Sequence, residues 1–214
     1  MIRFSKFINE KLEHQPGSAT TQVATTTGTY KKSAELLKNH LRPHSKILDY
    51  GAGLGEGTHA MRQSFHNDGG HVEVHGYEPA PERSTHKPNF TKPEEIKDQY
   101  DGVVSHNVLN VLHPELRHHV TKHILSLLKP GGHAIIGTRG WAGDVNAAKN
   151  SEPGDEPKSI WVHRKTKNGV QKVYQKGFDG NELHDYVKGI AGDNYEVKKL
   201  KGIASSAVHV RRLK

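Results

Sequence analysis

The chain contains no cysteine, only two tryptophans and two methionines, and no long apolar run in its 214 residues. Without cysteine no disulfide can staple the fold, and any chemistry that depends on an enzyme thiolate as nucleophile is excluded. Apolar residues make up 33% of the chain and mean hydropathy is −0.77, so the core must be lean and the surface strongly polar. No segment approaches the roughly 20 consecutive apolar residues that span a bilayer. Met1-Ile2-Arg3-Phe4-Ser5-Lys6 leads into a polar stretch, not into the apolar segment of a signal peptide, so a soluble cytoplasmic protein is expected. The length suits one domain able to bury a substantial core.

Positive charge and histidine are plentiful. The formal charge is +8, from 31 Lys and Arg against 23 Asp and Glu. Between Pro157 and Phe178, Lys158, Arg164, Lys165, Lys167, Lys172 and Lys176 occur with no acid among them, and the C-terminus is also basic. Such a run attracts polyanions by counterion release and electrostatic steering, and it is equally a solvated hairpin that keeps a protein soluble. Of the 17 histidines, His113, His118, His119 and His123 crowd one segment. His119 and His123 lie one helical turn apart, but no acidic third ligand or H-E-x-x-H pattern accompanies them, so no metal is assigned.

Ile47-Leu48-Asp49-Tyr50 reads as an apolar strand running into Gly51-Ala52-Gly53-Leu54-Gly55. Glycine spaced in this way lets the backbone turn sharply and approach a bulky ligand. A second strand, Val72 to Tyr77, ends at Glu78, whose carboxylate suits a ribose diol. The pair reads as a nucleoside-cofactor site opening a doubly wound α/β domain. Asp101 to Leu109 supplies a further core strand, and Leu127 to Ile136 a helix end, a turn and another strand. A dinucleotide site would favour G-x-G-x-x-G, whereas Gly55 is followed here by Glu56-Gly57.

In this order and spacing, residues 30–140 resemble a class I S-adenosylmethionine (SAM) dependent methyltransferase. The resemblance implies a mostly parallel seven-stranded sheet closed by a C-terminal antiparallel hairpin. It also implies SAM as cofactor and S-adenosylhomocysteine as product. Gly51, Ala52, Gly53 and Gly55 would bear on the methionine part, Glu78 on the ribose hydroxyls, and Asp49 on the loop or the cofactor amine. Tyr30, in a helix directly before the cofactor strand, would fold over the cofactor as part of a lid. His106 and Asn107, just past the central strand, would flank the methyl group and the acceptor, with His106 a candidate general base and Asn107 also a cofactor contact. Arg139 and Trp141 would contact the substrate. Family members place an acid or small polar residue against the adenine; here the matching stretch, Asn89 to Ile96, carries Lys92 instead.

Residues 1–28 read as a flexible arm and 29–214 as one domain. Asn168-Gly169 between two alternating segments marks a β-hairpin insertion over about 158–176. Lack of cysteine excludes the usual thiolate route to C5 of a pyrimidine, which points to an N, O or S acceptor or an acidic carbon. Ser105-His106-Asn107-Val108 is not the D/N-P-P-Y/F/W motif of DNA amino-methyltransferases. The basic hairpin nevertheless makes a nucleic acid the leading expected substrate, with Arg164, Lys165, Lys167 and Lys172 as contacts. The alternatives are a small-molecule or protein acceptor, and a SAM-binding protein without catalysis.

Overall fold

The computed structural model describes residues 27–67, 69, 71–166 and 169–214. The chain runs α1 (Thr27–Lys38), β1 (Lys46–Tyr50), α2 (Glu56–Asn67), β2 (Glu73–Tyr77), β3 (Tyr100–His106), α3 (Pro114–Ser126), β4 (Leu128–Thr138), β5 (Ser151–Pro153), β6 (Ser159–Thr166), β7 (Gly169–Lys176), α4 (Gly180–Ala191), β8 (Tyr195–Leu200) and β9 (Ser206–Arg212). The arm expected over residues 1–28 lies outside the described residues except for Thr27 and Gly28, which already form the first turn of α1. No helix among the described residues is long and apolar enough to cross a membrane.

The main sheet has the order β2-β1-β3-β4-β9-β8, parallel from β2 to β4 and antiparallel through β9 and β8. Consecutive apolar residues in each central strand serve its two faces, because side chains alternate along a strand. Ile47, Val104 and Ile135 pack beneath α1 and α2 with Leu37, Met61 and Phe65. Leu48, Val103 and Ile136 pack beneath α3 and α4 with Leu116, Ile124, Leu183 and Val187. Pro114 starts α3, where its missing N–H is no loss, and the Asp179 side chain caps α4 by accepting from Glu182 N at 2.8 Å.

Among the described residues the sheet has six strands, not the seven expected. The missing edge strand is reduced to one parallel bridge, Tyr77 to Phe90, between Pro88 and Pro93. Proline donates no ladder hydrogen bond, so the segment cannot extend this pairing. Lys92 instead begins a short turn, in which the Glu95 carboxylate accepts from the Thr91 and Lys92 backbone N–H groups.

The insertion after β4 is a separate antiparallel sheet, β5-β6-β7. The expected hairpin pairs Ser159 with Lys176 through to Thr166 with Gly169; Asn168, at its turn, lies outside the described residues.

Candidate active site

The C-terminal ends of β1, β2 and β3 lie side by side, where the crevice of an open α/β sheet usually takes its ligand. Gly51, Gly53 and Gly55 have φ of 83°, 57° and 86°. At Gly51 the left-handed backbone coincides with a close approach: a Cβ there would lie 2.3 Å from Val108 Cγ2. The loop is tied to β2 by Gly51 N and Ala52 N, which both donate to Tyr77 O. Glu78 is buried; Oε2 accepts from Gly53 N at 2.7 Å and Oε1 from Ala80 N at 3.1 Å. Its carboxylate is therefore held by backbone on both sides of the crevice.

Asp49 sits fully buried at the end of β1. Its Oδ2 accepts from Thr58 Oγ1 at 2.6 Å, whereas Oδ1 has no hydrogen-bond partner. Burial pushes the carboxyl up to about 7, against the pull of the Thr58 and Tyr30 hydroxyls. Tyr30 reaches this point from α1, its ring lying where a Cβ on Gly57 would be only 2.3 Å away. Burial first, and then the nearby Asp49 and Glu78 carboxylates, keep the Tyr30 hydroxyl protonated.

His106 does not stand open at the crevice. It is buried, with Nε2 2.9 Å from Ser33 Oγ and its ring edge-on to Tyr30 at 5.0 Å. Its Nδ1 is unpartnered and packs where only Gly137 leaves room. Burial lowers its pKa to about 4, so the ring is neutral at physiological pH. It couples α1 to the end of β3. Asn107 adopts φ 58°, a left-handed conformation that asparagine tolerates, and is exposed beside Val108.

Arg139 leaves β4 paired with Asp144, Nε to Oδ1 2.9 Å, and also donates to Gln175 Oε1 at 3.2 Å. Gln175 in β7 accepts in addition from the buried Asn110 Nδ2. Trp141 is half-exposed in the turn that follows, its backbone packed against Gly177. These contacts seat the small sheet beside the crevice. A second anchor holds it to α3: Arg117, almost wholly buried, donates to Leu109 O, Leu112 O and both Glu156 carboxylate oxygens, and Tyr174 donates to Glu156. Burial raises the Glu156 pKa, but Arg117 and Tyr174 outweigh it and hold the carboxyl below its usual range.

The basic hairpin is not a continuous positive face. Lys158 pairs with Asp179 and Glu182, Lys172 with Glu152, and the buried Lys176 with Glu182. All these acids lie outside the acid-free run 158–177, which is why the run looked uncompensated. Arg164 and Lys165 are neighbours on a strand and face opposite sides. Lys165 is exposed; the half-buried Arg164 has its pKa lowered by burial and then by Arg139 and Arg83 nearby. Lys167 lies outside the described residues.

The cofactor residues expected from the sequence, Tyr30, Asp49, Gly51 to Gly55 and Glu78, thus converge. Ser33, Thr58, Asn110, Gln175, Arg117 and Glu156 were not anticipated. Only Thr58, three residues past the glycine loop at the start of α2, carried a local signal.

The methyltransferase domain family matches residues 26–175. No curated protein matches the chain in sequence. Among solved structures, it is similar to the sugar N-methyltransferase KedS8 from Streptoalloteichus sp ATCC 53650, with TM-score 0.58, 12% identity and 87% of each chain covered. It is also similar to SAM-bound CalS10, an amino pentose methyltransferase from Micromonospora echinaspora, with TM-score 0.53, 12% identity, 91% of this chain and 94% of that one. A third is the Burkholderia thailandensis 1,6-didemethyltoxoflavin-N1-methyltransferase, with TM-score 0.51, 15% identity, 87% of this chain and 79% of that one. The chain belongs to the methyltransferase domain family and has the fold of the class I SAM-dependent methyltransferases.

Proposed function

We propose that the chain transfers a methyl group from SAM to an N or O atom of a small polar molecule, bound between the ends of β3 and β4 and the small sheet β5-β6-β7. The observation that carries this reading is the seating of that sheet. Arg117-Glu156-Tyr174 and Arg139-Gln175-Asn110 fasten it beside the acceptor end of the crevice, where it walls in a compact ligand. Pairing of Lys158, Lys172 and Lys176 with acids offsets three of the six charges of the run that a nucleic-acid surface would use. The similar structures described as methyltransferases of sugars and of 1,6-didemethyltoxoflavin support the same substrate class.

The residues present fit SAM. The unpartnered, buried Asp49 Oδ1 is an acceptor waiting for a donor, and a Cβ on Gly53 would meet nothing within 4 Å, so that turn borders open space. Asp49 would accept from the methionine amine and Glu78 from the ribose hydroxyls, while Tyr30 excludes water from above. Bound there, SAM supplies a methyl group activated by its sulfonium. The chain's own part is in-line placement of the acceptor in a dry site. In this reading Asn107 and Arg139 would hydrogen-bond the acceptor and Trp141 would cover a planar or sugar face. His106 acts as a positioning residue through Ser33 and Tyr30, since a neutral imidazole with a pKa of about 4 is a weak base.

The test is transfer of labelled methyl from SAM to a cell extract split into metabolites, protein, DNA and RNA, with Glu78→Ala as control. Label in the metabolite fraction that disappears in the variant is expected. Label in DNA or RNA that falls steeply with salt would restore the nucleic-acid reading through Arg164, Lys165 and Lys167. Label in protein alone would assign a protein acceptor. SAM binding with no label in any fraction would leave a binding protein.

A further inference from the structure

At the opposite end of the sheet from the crevice, three histidines meet that no part of the methyl-transfer site uses. His133 in β4 and His209 in β9 share one face of an antiparallel pair, since His209 stands opposite Ile135, two residues along from His133. His40 comes from the turn that ends α1, where its N–H donates to Leu37 O. The rings stack, with centroids 4.1 Å apart for His40 and His133, 5.0 Å for His133 and His209, and 5.5 Å for His40 and His209. His133 is buried, His209 half-buried and His40 exposed.

We propose that His40, His133 and His209 form a binding site for a divalent transition-metal ion of the zinc class. One nitrogen from each ring lies within 4.8 Å of the others, and His133 Nδ1 is already 2.9 Å from His209 Nε2. Three nitrogens bound tetrahedrally to zinc at about 2.0–2.1 Å stand roughly 3.3 Å apart, so closure asks the stacked rings to turn their nitrogens toward one point, with the largest shift at the exposed His40. One of the paired nitrogens carries a proton, and on metal binding that ring takes its other tautomer, the proton moving to its second nitrogen so that each neutral imidazole offers a lone pair. Three imidazoles with a fourth position open to solvent match the preference of zinc, copper and nickel over magnesium or calcium. The cluster lines a cavity of about 620 Å³ that is wide enough to admit a hydrated ion. Arg42, Lys198 and Arg211 oppose a cation there, and Glu196 and Asp101 on the same walls offset part of that charge.

The three ligands come from the turn after α1, from β4 and from β9, so the ion would pin the C-terminal end of α1 to the sheet. The other end of this helix carries Tyr30 and Ser33 over the cofactor crevice. Metal binding would thereby hold the covering helix in place without touching the reacting atoms.

The test uses the untagged full chain, stripped by chelator and dialysed, titrated with Zn2+ against a chromophoric chelator and with Co2+ followed by its visible d–d absorption. One tight equivalent per chain with a four-coordinate cobalt spectrum is expected. Loss of a direct ligand in His40→Ala should weaken binding by at least the about 10–100-fold that loss of a supporting partner alone produces. His209→Ala should do the same, and the exposed His40 decides the matter if His209→Ala fails to fold. His59→Ala, which removes half of another stacked histidine pair, should leave binding unchanged. Absence of a tight equivalent overturns the proposal, as does an equivalent that survives His40→Ala. Stabilisation by inorganic phosphate with no retained zinc would also overturn it and make the cavity an anion site.

Discussion

Replacing Asp49 by asparagine separates two demands placed on one carboxylate. The folded chain holds the Asp49 proton more tightly than the unfolded chain does, because burial raises its pKa from 3.8 to about 7. Its contribution to stability is therefore full below the unfolded value and is lost as pH rises through the folded one. About 3 units at 1.36 kcal/mol per unit puts the loss at no more than about 4 kcal/mol by pH 8. Buried His106 works in the opposite sense over part of this window, so the informative quantity is the difference between wild type and Asp49→Asn at each pH. Urea unfolding at pH 4, 6 and 8 should find the two nearly equal at pH 4 and the variant more stable at pH 8 by up to about 4 kcal/mol. Calorimetric titration with SAM should show the reverse for function, an affinity loss of about 1.5–3 kcal/mol for a hydrogen bond to a charged group. A pH-independent difference in stability, or a variant less stable than wild type at pH 8, would refute the assignment of Asp49 as a carboxylate buried against its own solvation.

For His106, whose folded pKa is about 4 against an ordinary 6.5, the stability it contributes is present above pH 6.5 and is lost as pH falls toward 4. His106→Gln should flatten acid unfolding in that window while leaving the neutral limb of the kcat profile unshifted; a shifted neutral limb would instead mark His106 as the base. Glu156→Ala would strand the nearly buried Arg117 guanidinium and should destabilise the fold by about 3–5 kcal/mol, against a smaller loss for Glu156→Gln. If the small sheet walls in the acceptor, Glu156→Gln should also raise KM for the acceptor with little change for SAM, and equal effects on both would show that the anchor does not shape the acceptor site.

The sequence by itself determined the frame and the cofactor end. The apolar run Ile47 to Tyr50, the glycine turn and the acid at Glu78 are local features, set by the two-residue period of a strand and by backbone sterics. They come together when folded: Glu78 reaches back to Gly53, and Asp49 lies under Thr58 and Tyr30. The hairpin around Asn168-Gly169 was legible for the same reason, whereas the reduction of the expected edge strand to one bridge between the prolines at 88 and 93 was not. What depended on partners far away in the chain was not legible. His106 looked like a base because it follows a strand; α1, some seventy residues earlier, buries it against Ser33. The run from Lys158 to Lys176 looked like a polyanion surface because acids from Glu152, Asp179 and Glu182 approach it only in three dimensions. His40, His133 and His209, dispersed among 17 histidines, carry no local spacing signal, and only the pairing of β4 with β9 and the end of α1 brings them together. Backbone geometry acts over a few residues and can be read in order along a chain, whereas burial, charge pairing and ligand convergence are properties of neighbours in space and are decided by the tertiary fold.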